Sequence, residues 1–242
     1  MKIKTLILLL FISISVCGQQ TKKWLENIEN PQYSTDELKK DNVKSEYLKH
    51  DFSTLLTPKQ DFLGFIGQDY RRIRIYFTSI TKDSSNKEKY IIKGMSIVGS
   101  NICDFKGEIN IEQVREYKLM HYGVDNKYEN SGFKSQGVLI GKYLFKENPK
   151  QKHTGLFEGI ISLNWYVDKH GIVHYDRIEW FSDRYRNNQY VGTWTDYKNG
   201  SVKICNWGEY RIPFSGDLDI GAGEFSPNEK YINKGWEDMK IE

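Results

Sequence analysis

Four polar side chains, His170, His174, Asp176 and Glu179, lie within ten residues and form the densest group able to do chemistry. On a helix, a His-x-x-x-His spacing would set two imidazoles on one face, as some zinc sites require. The local sequence argues for a hairpin instead. Asp168-Lys169-His170-Gly171 fits a type I turn followed by a left-handed glycine. That register sets Asp168 opposite Ile172, Tyr166 opposite His174 and Asn164 opposite Asp176. His170 is then left on the turn, about 13 Å along the strand from His174, too far for one metal ion to bind both. A hydrolase would use Asp176, Glu179 or His174 as acid and base. The chain has no Gly-x-Ser-x-Gly elbow to present a nucleophile, and no pair of carboxylates stands out as a glycosidase couple.

A second polar cluster joins Asp217, Asp219 and Glu224 with Gly216, Gly221 and Gly223. Oxygen ligands on a glycine-rich loop suit calcium. The EF-hand pattern fails, because Gly221 stands where a third ligand is required. The competing reading is an ordered loop whose carboxylates accept backbone N–H groups. The third feature is aromatic content: 6 Trp, 16 Tyr and 12 Phe, crowded toward the C-terminal half. Flat rings line ligand cavities and stack on sugars. Trp165, Tyr175, Trp180, Tyr185, Tyr190 and Trp194 are the candidate ligand-binding residues, against the alternative that they fill a β core. Residues 183–189 form a polar, aromatic-bearing loop, where binding residues concentrate.

The N-terminus reads as an address. Lys2 and Lys4 precede an apolar run from Leu6 to Val16, shorter than the roughly 20 residues a membrane-spanning helix needs. This is the form of a secretory signal peptide over residues 1–18. Two readings stay open: cleavage before Gln19, or lipidation of Cys17 within Ile14-Ser15-Val16-Cys17, which would attach the protein to a membrane. No later segment is long and apolar enough to span a bilayer as a helix. The expected location is the periplasm, the outer membrane surface or the exterior. Export makes Cys103 and Cys205 a candidate disulfide, with two separate buried thiols as the alternative. Removing residues 1–18 leaves 33 basic against 32 acidic side chains, so charge gives no reason to invoke nucleic acid. A content of 38% hydrophobic and 14% aromatic residues excludes a disordered chain.

The elements that must position these residues are strands. Residues 19–57 form a polar leader, with a capping box at Ser34-Thr35-Asp36-Glu37 that predicts a short helix over about 35–50. From residue 58 to 242 the apolar period is 2. Ile73, Ile75 and Phe77 alternate, as do Phe157, Gly159, Ile161, Leu163, Trp165 and Val167. Eight or nine strands are predicted, including 138–145, 172–181, 190–197 and 202–212. This is an all-β, mainly antiparallel meander: a lipocalin-like barrel or strongly curved sheet. Phe105-Lys106-Gly107, Phe157-Glu158-Gly159 and Tyr190-Val191-Gly192 share one form, in which strand glycines make room for a large ring across the sheet.

Tyr190-Val191-Gly192-Thr193-Trp194 resembles the core of a MORN repeat, and its Gly-Thr-Trp resembles the Gly-x-Trp of lipocalins. Tyr210-Arg211-Ile212-Pro213 and Gly216-Asp217-Leu218-Asp219-Ile220-Gly221 resemble uncharacterised secreted proteins of Bacteroidota, a resemblance that implies no activity. The sequence favours an exported, non-enzymatic β protein binding a small apolar ligand or cell-surface component in an enclosed cavity, with no cofactor. The alternatives are a carbohydrate- or protein-recognition module using exposed aromatics, and a hydrolase on the 170–180 hairpin.

Overall fold

The computed structural model describes residues 18–183 and 185–239. The apolar run and Cys17 lie outside the described residues. Ten strands build one antiparallel sheet: β1 (Leu63–Ile66), β2 (Arg71–Arg72), β3 (Arg74–Lys82), β4 (Lys89–Val98), β5 (Asn101–Glu116), β6 (Ser135–Glu147), β7 (Gly155–Val167), β8 (Val173–Tyr175), β9 (Asn187–Asp196) and β10 (Val202–Glu209). Their order is β2-β1-β10-β9-β7-β6-β5-β4-β3, with β8 paired to β7. The two ends of this order meet. β2 continues through Ile73 into β3, so one stretch of chain pairs with β1 on one side and with β4 on the other. The sheet is thereby curled into a barrel-like wall, joined to β1 by only two strand-residue pairs and a hydrogen bond from Ile73 N to Gly64 O.

Alternation along the strands sends one set of side chains inside the curl. Trp207, Tyr190, Tyr143, Phe145, Phe157, Phe105 and Trp165 form a packed aromatic core. The Tyr190 and Trp207 rings stack with centroids 4.8 Å apart. Glycines make this density attainable. Gly159 and Gly192 are cross-strand partners, and a Cβ at either would run into the Tyr143 hydroxyl. The expected place for a ring is therefore filled, by Tyr143 lying across two strands.

One mouth of the curl is plugged by the leader. Two single-turn helices, at Lys44–Tyr47 and Ser53–Leu56, insert Tyr47, Phe52, Leu55 and Leu56 into the core. The Phe52 N–H donates to Tyr90 Oη at 2.9 Å. Glu209, buried at this end, accepts from the N–H groups of Lys59 and Gln60 at 2.7 and 3.0 Å. The helix expected over 35–50 is therefore one turn long. The capping-box segment is a 3-10 turn, Ser34–Asp36, whose cap makes no side-chain hydrogen bond. The longer helix lies earlier, over 18–29. Its Trp24, Leu25 and Ile28 cover Val138, Ile140, Ile160 and Val191 on the outer face of β6, β7 and β9. The C-terminal segment covers the outside of β1 and β10 in the same way, through Ile212, Leu218, Phe225 and Trp236 against Phe65.

Two further expectations are corrected. The strand predicted over 172–181 is only Val173–Tyr175. Beyond it the Asn187 side chain takes over the pairing, accepting from Asn164 N at 2.7 Å and donating to Asn164 O at 3.0 Å. Cys103 and Cys205 are free buried thiols, not a disulfide. They belong to β5 and β10, with β6, β7 and β9 between them one way round and β1 to β4 the other. At about 4.8 Å per strand step, they sit on opposite walls. The hairpin of 164–176 has the expected register: Tyr166 faces His174, and Gly171 is left-handed with φ +81°.

The glycine contact gives a direct test. Gly192→Val should destabilise the fold by about 3 kcal/mol through overpacking, measured as a lower urea midpoint with an unchanged slope.

Candidate functional site

Three concavities hold the side chains with chemical potential. The largest, about 840 Å³, is the mouth that the leader leaves uncovered. It is framed by the β1–β2, β4–β5, β6–β7 and β9–β10 connections. Its walls carry Ile66, Ile73, Val98, Phe157, Trp194 and Ile204, with Asp69, Arg71, Asp196 and Lys203 around it. Glu147 lines it from the last residue of β6. This position follows Gly141, Tyr143 and Phe145 on the inward-facing register, so strand alternation alone brings a carboxylate inside. Glu147 is 3% exposed. Its Oε2 accepts from Gly155 N at 2.7 Å and Trp194 Nε1 at 2.9 Å, and its Oε1 accepts from the Ser96 hydroxyl. Burial pushes its pKa up, and the three donors offset only part of that rise. No cationic side chain among the described residues forms an ion pair with it. Lys203 instead sets its ammonium 5.5 Å from the Trp194 ring centroid.

The second concavity, about 660 Å³, is a groove beside the plugged mouth. Tyr128, Phe133, Tyr166, Tyr175 and Trp180 line it, together with Lys59, Arg177 and His174, and no acid contributes to its lining. His174 Nε2 lies 2.9 Å from Asp168 Oδ2, and its ring stacks on Tyr166. Trp180 is 44% exposed and Phe181 56%, their ring centroids 4.0 Å apart.

The third is a narrower polar cleft of about 210 Å³ between helix 18–29 and the sheet, lined by Asp36, Tyr117, Asn164, Glu179 and Tyr185, among others. His121, from the β5–β6 loop, sits beside it. Glu179 Oε1 lies 3.6 Å from His121 Nδ1 and Asp36 Oδ1 lies 3.8 Å from Nε2. These carboxylates, Glu179 first, raise the imidazole above its ordinary pKa. Burial pushes Asp176 up to about 6, although its Oδ1 accepts from Ile178 N.

No family model matches this chain, and neither a curated protein nor a solved structure matches it. The geometry therefore has to carry the functional reading.

The six aromatic candidates are not brought together. Trp165 and Tyr190 are fully buried in the packed core. Trp194 lines the open mouth, Tyr175 and Trp180 the groove, and Tyr185 the polar cleft. Of the candidate acid–base residues, Asp176 and Glu179 gather around His121, whereas His174 belongs to the groove. Among the described residues no serine or cysteine hydrogen-bonds to His121. The calcium candidates are taken up separately. Asp219 is paired with Arg211 at 2.7 Å and accepts from the N–H groups of Gly221 and Ser226. Asp217 is held by Lys230 and Tyr231, and Glu224 is exposed. Among the described residues no three metal-ligating side chains converge. Sequence reasoning missed Glu147 and His121. Strand parity would have found Glu147; nothing in the 119–134 loop marks His121.

Both raised groups favour protonation in the folded state. Asp176 therefore contributes stability that is lost as pH rises from about 4 to about 6, and His121 contributes stability that is lost as pH rises through its elevated pKa. Asp176→Asn should leave the melting temperature unchanged at pH 4 and raise it at pH 7 relative to the parent, as read by thermal unfolding at the two pH values.

Proposed function

We propose that this is an exported protein that acts by binding a small, largely apolar molecule at the open end of its curled sheet. The observation that carries this reading is the 840 Å³ mouth, which falls in the range of ligand pockets, roughly 300–1,000 Å³. Ile66, Ile73, Val98, Phe157 and Trp194 give it an apolar wall, and polar and charged side chains, among them Asp69, Arg71, Glu147, His153 and Lys203, make up the rest. The packed aromatic core fills the middle of the curl, so the ligand would enter from one end rather than occupy an enclosed central cavity. A plugged far mouth and a rigid sheet give the pre-formed shape that keeps the entropic cost of binding low. Export is supported by the sequence of residues 1–18.

A test uses N-phenyl-1-naphthylamine as an apolar fluorescent probe. One probe should bind per chain with micromolar affinity. Val98→Trp, which places an indole in the mouth, should abolish binding while the fold still melts cooperatively. Absence of probe binding to the parent protein would count against the reading.

A second reading rests on the groove. Trp180 and Phe181 stay exposed in a chain that buries Trp24, Trp165, Trp194, Trp207 and Trp236, and flat rings beside Lys59 and Arg177 suit an acidic sugar. On a glycan array, Trp180→Ala should remove any binding that the parent shows, with folding intact by circular dichroism.

A further inference from the structure

We propose that the molecule held in the open mouth carries a cationic amine, and that Glu147 is the group that recognises it; this rests on the ligand-binding reading of that mouth. A buried carboxylate is costly unless charge and hydrogen bonds compensate it. The two fully buried glutamates among the described residues differ in this respect. Glu209, at the plugged end, has both oxygens occupied: Oε1 by two backbone N–H groups and Oε2 by Tyr175 and Asn188 at 3.0 Å each. Those bonds fasten the leader to the sheet, which accounts for Glu209 structurally. Glu147 ties down no such segment. Its Oε2 is satisfied by Gly155 and Trp194, but Oε1 accepts only from the neutral Ser96 hydroxyl. A carboxylate oxygen has capacity for a further donor, and this carboxylate lines the 840 Å³ mouth.

The surroundings select the sign and shape of the missing donor. An ammonium group would supply the charge that no described side chain supplies, and charge-assisted bonds of this kind are about twice as strong as neutral ones. Trp194 and Phe157 line the same mouth, and aromatic rings attract cations as well as alkyl groups. Lys203 already holds its ammonium over the Trp194 ring, so the wall accepts a cation from the chain itself. Ile73 and Val98 provide apolar surface for the rest of the ligand. The inferred class is a primary or substituted amine with an apolar body.

Three probes of equal length separate this from the broader reading: octylamine, 1-octanol and octanoate, titrated by calorimetry at pH 7. Octylamine should bind at least about tenfold more tightly than octanol, and octanoate more weakly than either. Glu147→Gln, whose amide oxygen can still accept from Gly155 and Trp194, should retain octanol binding and lose the preference for the amine. Equal or better binding of octanol or octanoate by the parent protein would overturn the proposal while leaving a ligand-binding mouth. An amine preference unchanged by Glu147→Gln would overturn the role of Glu147. If none of the three binds, both this inference and the ligand-binding reading fall.

Discussion

The structure depends on one steric arrangement: large rings inside the curl lie over glycines of neighbouring strands. Tyr143 lies over Gly159 and Gly192, Phe105 over Gly94, Trp165 over Gly137 and Trp194 over Gly155. A residue with a Cβ at these points would push the ring away or force the backbone apart. With glycine there, a tightly curled wall holds a core of tryptophans and tyrosines at close-packed density. The same arrangement locates the mouth. Trp194 lies over Gly155 near the end of its strands, and its indole N–H reaches Glu147.

The two mouths then differ because the described residues supply a plug for only one. The leader lies at the end where Glu209 accepts the Lys59 and Gln60 N–H groups and where Tyr90 receives the Phe52 N–H. Those bonds satisfy backbone donors that would otherwise be buried without partners. At the other end the connections are hairpins, too short to fold back over the opening. Gly99-Ser100 joins β4 to β5 directly, and residues 197–201 join β9 to β10.

Legibility in the sequence followed from how many faces of each element are buried. Strands such as β4, with one covered face, alternate cleanly, and the turn chemistry of Asp168 to Gly171 was enough to set a hairpin register. β9 is buried on both faces over most of its length, because helix 18–29 covers its outside, so its inward face was not readable from polarity. That helix was itself obscured: Trp24, Leu25 and Ile28 give a one-turn stripe inside a polar segment next to an apolar run. The candidate sites were harder still. Glu147, His121 and Asp36 acquire their surroundings from strands and loops distant in sequence. The aromatic group was legible as composition, but its division between a solid core and three separate concavities depends on strand parity and on which loops fold over it.

Covering is the step that joins fold to function. The outer faces of β6, β7 and β9 expose apolar residues to helix 18–29, those of β1 and β10 to the C-terminal segment, and one end of the curl to the leader. Each extension of the chain beyond the sheet is thus assigned to an apolar surface that water would otherwise meet. The open mouth has a wall of the same kind, in Ile66, Ile73, Val98 and Phe157, yet no segment among the described residues covers it. It also contains Glu147, a buried carboxylate whose hydrogen bonds to Gly155, Trp194 and Ser96 brace the strands around it.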